Sequence, residues 1–283
     1  MRPIFAILIG LTLLAADTRT AWSQTQPGIA AEPGYRFHEN VSYKAGPDLT
    51  EYERTQCRLD VYYPEGTEGF STLVWFHAGG LLNGERAVLD GFREQGFAVV
   101  SVSYRFSPKV TAPAYIEDAA AAVAWTMDNI ADYGGDADRI FVTGHSAGGY
   151  LASMIGYDKS YLAAFGKDAD DLAGLAPISG HTVTHFTVRS ERGIDASRVI
   201  VDEFAPLYHA RPDAPPTLLI TGDAETELLG RHEENAFFWR MLQVVGHPDA
   251  AHKQCQGFDH GGIVRPAQEL VVRFMRRVAE RGE

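Results

Sequence analysis

From Tyr35 onward, short runs of apolar and β-branched residues alternate with longer stretches of helical periodicity. The clearest strand-like runs are 57–63, 72–77, 97–104, 140–143, 175–179 and 217–221, with weaker ones at 35–43 and 253–257. TLVWFH at 72–77 and FAVVSVSY at 97–104 are almost continuously apolar, as strands covered on both faces must be. Helices are expected over 86–95, 115–133, 147–155, 233–245 and 266–281. In the second of these, Ala119, Ala120, Ala121, Ala122 and Ala124 form a small-residue face that can lie close on a sheet, and Gly134-Gly135 ends it. The alternation predicts one α/β domain with a mainly parallel eight-stranded sheet flanked by helices. Periodicity is weakest over 24–34 and 181–216, read as an N-terminal arm and a short cap or loop insertion.

Before this pattern begins, Arg2 precedes an apolar run from Ile4 to Ala16 and then a polar stretch containing Ala21-Trp22-Ser23. That is the layout of a secretory signal peptide, 1–23, which leaves 24–283 as the mature domain and a periplasmic or secreted location. About 13 apolar residues fall short of the roughly 20 that span a bilayer, so no membrane attachment is expected once the leader is removed. The mature chain then holds 23 basic and 36 acidic residues, a formal charge of −13 against −12 for the whole. Such an acid excess argues against phosphate-backbone binding, so no nucleic-acid partner is expected. Cys57 and Cys255 are the only cysteines. The compartment permits a disulfide, but the strand reading sets them far apart in the sheet, which argues against pairing.

Gly144-His145-Ser146-Ala147-Gly148-Gly149 follows the strand IFVT and precedes the helical run YLASMIG. A G-x-S-x-G sequence at a strand-to-helix turn lets the backbone approach closely and leaves Ser146 Oγ exposed as a nucleophile. His77-Ala78-Gly79-Gly80 ends the strand TLVWF, where backbone N–H groups on a tight turn can point at a negative oxygen. Gly79, Gly80 and Ala147 are the expected oxyanion donors, and His77 is expected to be structural. His260, in Gly257-Phe258-Asp259-His260-Gly261-Gly262 after the last weak strand, is the expected base, with His252 as its nearby competitor. A carboxylate follows the strand LLIT in LLITGDAETE, and the order Ser, acid, His is that of the α/β-hydrolase triad. On residue type alone Asp223 is favoured over Glu225. His181 and His185 could hold a metal if helical, but no third ligand accompanies them, so they are expected to line the acyl or alcohol pocket with Phe186. No metal and no cofactor are expected.

Taken in order, RLDVYYP, HAGG, SYRFSP, PAYIEDAAAAVAW, GGDADRIFVTGHSAGG, APPTLLITGD and GFDHGG resemble α/β-hydrolase esterases. The resemblance is to the hormone-sensitive-lipase-like group and its bacterial relatives, which include feruloyl and acetyl esterases and arylformamidases. It covers nearly the whole mature chain and implies a serine carboxylesterase acting on small or aryl esters. In that group the turn reads HGGG, so Ala78 departs from it, while the donor positions still map to Gly79 and Gly80. Leu81-Leu82 stand where an aromatic residue often follows. The resemblance also places the triad acid three residues after the small residue that ends the strand, which is Glu225 counted from Gly222. The expected triad is therefore Ser146, Glu225 and His260, with a small-molecule ester as substrate. The competing readings are an arylformamidase using the same triad, a peptidase, for which 181–216 is too short to screen substrates, and a non-catalytic binding protein of the same fold.

Overall fold

The computed structural model describes residues 34–195, 197–228 and 230–281. The signal-peptide reading at 1–23 lies outside them. Eight strands form one sheet: β1 Tyr35–Ser42, β2 Arg58–Pro64, β3 Phe70–Phe76, β4 Ala98–Val102, β5 Gly135–His145, β6 Gly174–Ile178, β7 Thr217–Thr221 and β8 Ala250–Gln254. The helices are α1 Glu51–Gln56, α2 Ala114–Asn129, α3 Ala147–Tyr157, α4 Lys159–Ala163, α5 Phe186–Glu191, α6 Arg231–Val244 and α7 Val264–Ala279. The strand order is β1-β2-β4-β3-β5-β6-β7-β8, antiparallel across β1, β2 and β4 and parallel from there on. The described residues cluster as one unit. Cys57 stands just before the second strand of that order and Cys255 just after the last, and both are free.

Side chains alternate across the sheet with the period of two that a strand imposes. Val74, Phe76, Val100, Val102, Ile140 and Val142 pack on one face with the alanines of α2 and with Leu151 and Ile155 of α3. Leu73, Trp75, Val99 and Phe141 pack on the other with Val271, Phe274 and Met275 of α7. Both layers press on β3 and on residues 140–142 of β5, which explains why those stretches are apolar, while the first half of β5, 135–139, is at most half-buried and is mainly polar. The sheet therefore holds the C-terminal ends of β3, β5, β6 and β7 rigidly side by side, and every loop of chemical interest leaves from one of them or from β8.

The helix expected over 86–95 is absent, and only a 3-10 turn, Asp90–Phe92, forms there. Val88 and Phe92 are buried four residues apart, which produced the helical periodicity. The intervening backbone is held otherwise. The Gly91 amide donates to Gln268 Oε1 at 2.7 Å, a Gly91 β-carbon would stand 2.5 Å from that oxygen, and Glu94 has φ of 54°. In the segment 181–216 the structure shows α5 and a 3-10 turn at Pro206–His209 joined by irregular chain. Among the described residues no helix is long and apolar enough to cross a membrane.

Candidate active site

Strand β5 ends at His145 and α3 begins at Ala147, so Ser146 must reverse the chain by itself, with φ of 56° and ψ of −115°. A non-glycine residue at positive φ costs about 1–3 kcal/mol and persists only where its surroundings enforce it. Here the glycines enforce it. A β-carbon on Gly148 would stand 2.0 Å from the Phe76 carbonyl oxygen, and one on Gly144 would stand 2.5 Å from the Gly148 carbonyl. The Ser146 amide donates to Ile178 O at 2.8 Å, which ties the turn to β6. Ser146 is thus held at the N-terminus of an eleven-residue helix, where the helix dipole favours negative charge.

His260 Nε2 lies 2.8 Å from Ser146 Oγ, and its Nδ1 lies 2.5 Å from Glu227 Oε1. The structure thus joins Ser146 to His260 but does not bring Glu225 to them. Glu225 is exposed and its amide donates to Asp223 Oδ1 at 3.0 Å, so it sits at the crest of a turn. That turn is one helical winding: the amides of Thr226 and Glu227 both reach back to Asp223 O, at 3.0 and 2.7 Å. Four residues on from Asp223 the chain again faces the sheet end, which delivers Glu227 and leaves Glu225 on the outer side. Asp223 braces the loop instead. Its Oδ2 accepts from the Gly257 amide at 2.6 Å and its own amide donates to Phe258 O at 2.7 Å, pinning the β7 loop to the loop that carries His260.

Glu227 has a fully buried side chain and four donors around its carboxylate. On Oε1 these are His260 Nδ1–H and the Leu228 amide at 3.0 Å. On Oε2 they are the Ser179 hydroxyl at 2.6 Å and the Gly222 amide at 3.0 Å. Burial pushes this carboxyl up, but the hydrogen bonds from His260 and Ser179 and the attraction of the imidazole outweigh it and leave the group at about 2. It is therefore ionised throughout the range in which an imidazole works as a base. Exposure rises from 0% for the Glu227 side chain to 21% for that of His260, so the charge is deep and the base is reached by solvent.

His145, the middle residue of the elbow motif, supports the base from beneath. Its Nε2–H donates to the His260 carbonyl at 2.7 Å and the two rings lie 4.7 Å apart. Burial and the neighbouring imidazole lower its pKa to about 3, so it stays neutral. His252 is occupied elsewhere, 2.9 Å from Thr221 Oγ1 and with its ring 5.1 Å from that of His232, tilted at 46°. His77 donates Nδ1–H to Ala78 O at 2.7 Å and stacks on Tyr104 at 4.5 Å, which is a structural placement.

The turn after β3 is built for close approach. Gly79 has φ of 125°, and a β-carbon there would stand 1.8 Å from Asn83 O. Its carbonyl accepts from the Leu82 and Asn83 amides at 3.0 and 3.2 Å, which closes the turn and, across the same trans peptide, points the Gly80 amide away from it. Among the described residues, the amides of Gly79, Gly80 and Ala147 have no protein acceptor. Unpaired N–H groups at a turn and a helix start are what an oxyanion requires. His181 and His185 are not on a helix: His185 caps α5, and His181 precedes it on the loop after β6. Among the described residues no group of three or more His, Cys, Asp or Glu side chains is placed to hold a metal.

This is the α/β-hydrolase fold, with a serine, a histidine and a glutamate hydrogen-bonded in series at the C-terminal edge of its sheet. Residues 59–177 match the family model BD-FAE, a span from β2 to β6 that includes the Gly79 turn and the Ser146 elbow. Esterase LipQ of Mycobacterium tuberculosis is 31% identical over 166 residues, covering 51% of this chain and 39% of that protein. The probable carboxylic ester hydrolase LipM of the same organism is 28% identical over 273 residues, covering 83% of this chain and 62% of that one. The chain thus spans less than two thirds of the length of these relatives. A solved structure, a truncated form of carbohydrate esterase from gut microbiota, superposes with a TM-score of 0.71 at 19% identity, over 88% of this chain and 99% of that one. The resemblance to α/β-hydrolase esterases drawn from the ordered motifs is the one these comparisons return.

Proposed function

We propose that this protein is a serine carboxylesterase that hydrolyses small carboxylic esters through an acyl-enzyme on Ser146. The observation that carries the reading is the unbroken series from Ser146 Oγ through His260 to Glu227, with an unpaired-amide turn beside it. His260 takes the Ser146 proton as Oγ attacks the ester carbonyl, and Glu227 holds the imidazole in the tautomer that can accept it. The amides of Gly79, Gly80 and Ala147 receive the negative oxygen of the tetrahedral intermediate. Collapse expels the alcohol, protonated by His260, and a water activated by the same imidazole then releases the acid. The relatives named as esterases support the reading, and the leader at 1–23 supports export to the periplasm or medium.

The test is turnover of a panel of short acyl and aryl esters, with N-formylkynurenine included, by wild type and Ser146→Ala. A fluorophosphonate should label the wild type once, at Ser146, and the alanine variant should lose turnover while remaining folded. Labelling at another serine, or full activity in the variant, overturns the assignment. Faster turnover of the formamide than of every ester replaces the substrate class.

A further inference from the structure

Beyond the triad, the loop after β6 holds two imidazoles whose ring nitrogens are assigned by their neighbours. His181 Nδ1 lies 2.8 Å from Glu234 Oε1. That carboxylate is held by Arg231 Nε at 2.9 Å and by the amides of Thr182 and Val183 at 3.0 and 3.1 Å. Burial raises the Glu234 carboxyl, but its bond and attraction to His181 and the charge of Arg231 bring it below its ordinary value, so it is ionised. Nδ1 of His181 must therefore carry the proton, and in the neutral ring Nε2 is an acceptor. His185 is the reverse case. The Thr187 amide donates to its Nδ1 at 3.1 Å, so its proton is on Nε2. Burial lowers the pKa of both rings, which keeps both neutral. Among the described residues neither Nε2 has a protein partner.

The two rings are 4.9 Å apart at 83°, an acceptor beside a donor. They also adjoin the proposed catalytic parts on three sides. Tyr150, on the helix that begins after Ser146, lies 5.1 Å from His185. The Phe186 ring lies 4.4 Å from that of His185, tilted at 31°, and its edge lies 3.1 Å from where a Gly80 β-carbon would stand. The Thr187 hydroxyl donates to Gly80 O at 2.5 Å, and Gly180, which begins the loop, follows the Ser179 that holds Glu227. We propose that His181 and His185 form a hydroxyl-reading pair: His185 Nε2–H donates to a substrate hydroxyl oxygen, and His181 Nε2 accepts that hydroxyl's proton. The substrate class is an ester bearing a free hydroxyl on the group that lies against Phe186. This rests on the esterase reading above. A single hydroxyl satisfies both rings, and a deoxy analogue leaves both nitrogens dry and unpaired.

The test compares esters matched except for one hydroxyl, with the hydroxyl on the alcohol side (2-hydroxyethyl acetate against ethyl acetate) or on the acyl side (ethyl 3-hydroxybutyrate against ethyl butyrate). Wild type should favour the hydroxylated member of one pair in kcat/KM by about tenfold or more, from two hydrogen bonds. His185→Asn keeps an oxygen to cap Thr187 but lacks the Nε2 donor, and His181→Asn keeps a donor to Glu234 but lacks the Nε2 acceptor. Each should bring the ratio towards one, and the double variant should add little, because both act on one hydroxyl. In histidine-15N-labelled Ser146→Ala protein, the favoured hydroxylated ester should shift both Nε2 resonances and its partner ester should not. A wild-type ratio of one in both pairs, an equal loss on both members in the variants, or unmoved Nε2 resonances overturns the pair. If no ester turns over, the esterase reading falls, and the Nε2 titration alone decides the pair.

Discussion

Replacing Glu227 by glutamine tests the triad through the chemistry of one oxygen. Four donors converge on the carboxylate, two on each oxygen, and a glutamine offers only one acceptor oxygen. If its NH2 group turns to the Ser179 side, the hydroxyl can rotate to accept but the buried Gly222 amide is orphaned. If it turns to the His260 side, it faces Nδ1 and drives the imidazole into the tautomer with its proton on Nε2, which cannot take the Ser146 proton. In a serine protease the corresponding loss of the orienting carboxylate costs about 10⁴ in kcat, or about 5.5 kcal/mol of barrier. Glu227→Gln should therefore lose about 10³–10⁴ in kcat on a short-chain aryl ester, with little change in KM. Glu225→Gln, on the exposed crest of the turn, should stay within about twofold. Both are assayed at one pH, with folding checked by circular dichroism and melting temperature. A folded Glu227→Gln that keeps more than about a tenth of kcat refutes the reasoning, and so does a larger loss in Glu225→Gln.

Three further outcomes follow from the same geometry. Gly79→Pro removes an unpaired amide from the turn after β3 and should lower kcat by about 10² or more; a folded variant of near-normal kcat would place the oxyanion elsewhere. Gly148→Ala puts a methyl group 2.0 Å from Phe76 O and should destabilise the protein by more than about 2 kcal/mol in urea titration, whereas an unchanged midpoint would show that the elbow is not tightly packed. Stability should fall as pH drops from 7 to 4, from two sources of the same sign. Burial holds His77 and His252 at about 4 and His145 at about 3 in the folded chain, so below about 6.5 the unfolded chain binds protons that the folded chain refuses. Glu227, depressed to about 2, contributes stability that is present above about 4.5 and lost as pH falls towards 2. Unfolding midpoints that stay flat from pH 7 to 4.5 would contradict the buried neutral histidines.

Ser146 and the glycine turn were legible because they lie one residue past β5 and three to four past β3, strands whose apolar runs show well, whereas His260, six residues past the weakly patterned β8, was legible from its place in the order Ser, acid, His. The acid was not, because its position depends on a turn. Counting from Gly222 assumes an extended loop, whereas Asp223 starts a helical winding that shifts the inward position from Glu225 to Glu227. The available signal was Asp223 itself, a residue type that caps such windings, followed at its fourth position by a carboxylate. Helix α1 was hidden for a different reason: it buries no residue, so it has no apolar face, although Thr50 and Glu53 spell a capping box that the structure forms. His145 stands in the elbow motif with no sequence signal of its role, since one imidazole in a sequence does not reveal that another loop's carbonyl will lie 2.7 Å away.

The supports that the sequence concealed explain how a site drawn from three loops can hold one geometry. Ser146 is fixed by backbone contact with β3 and β6, and those contacts have no side-chain freedom to lose. Glu227 and His260 sit on separate loops, and Asp223 joins these with two bonds, one from its carboxylate and one from its amide. His145 then joins the base loop to β5, the strand that ends in the nucleophile. The three members of the triad are thus linked twice, once through their reacting atoms and once through a ring of bonds that no reaction step breaks. Proton transfer changes the charge on His260 but leaves the His145, Asp223 and Gly222 contacts intact, so the imidazole can exchange its proton without the loop relaxing. A hydrolase must pass that proton out and back in each of two half-reactions, and a base held only by its partners in the transfer would lose its position each time they changed charge.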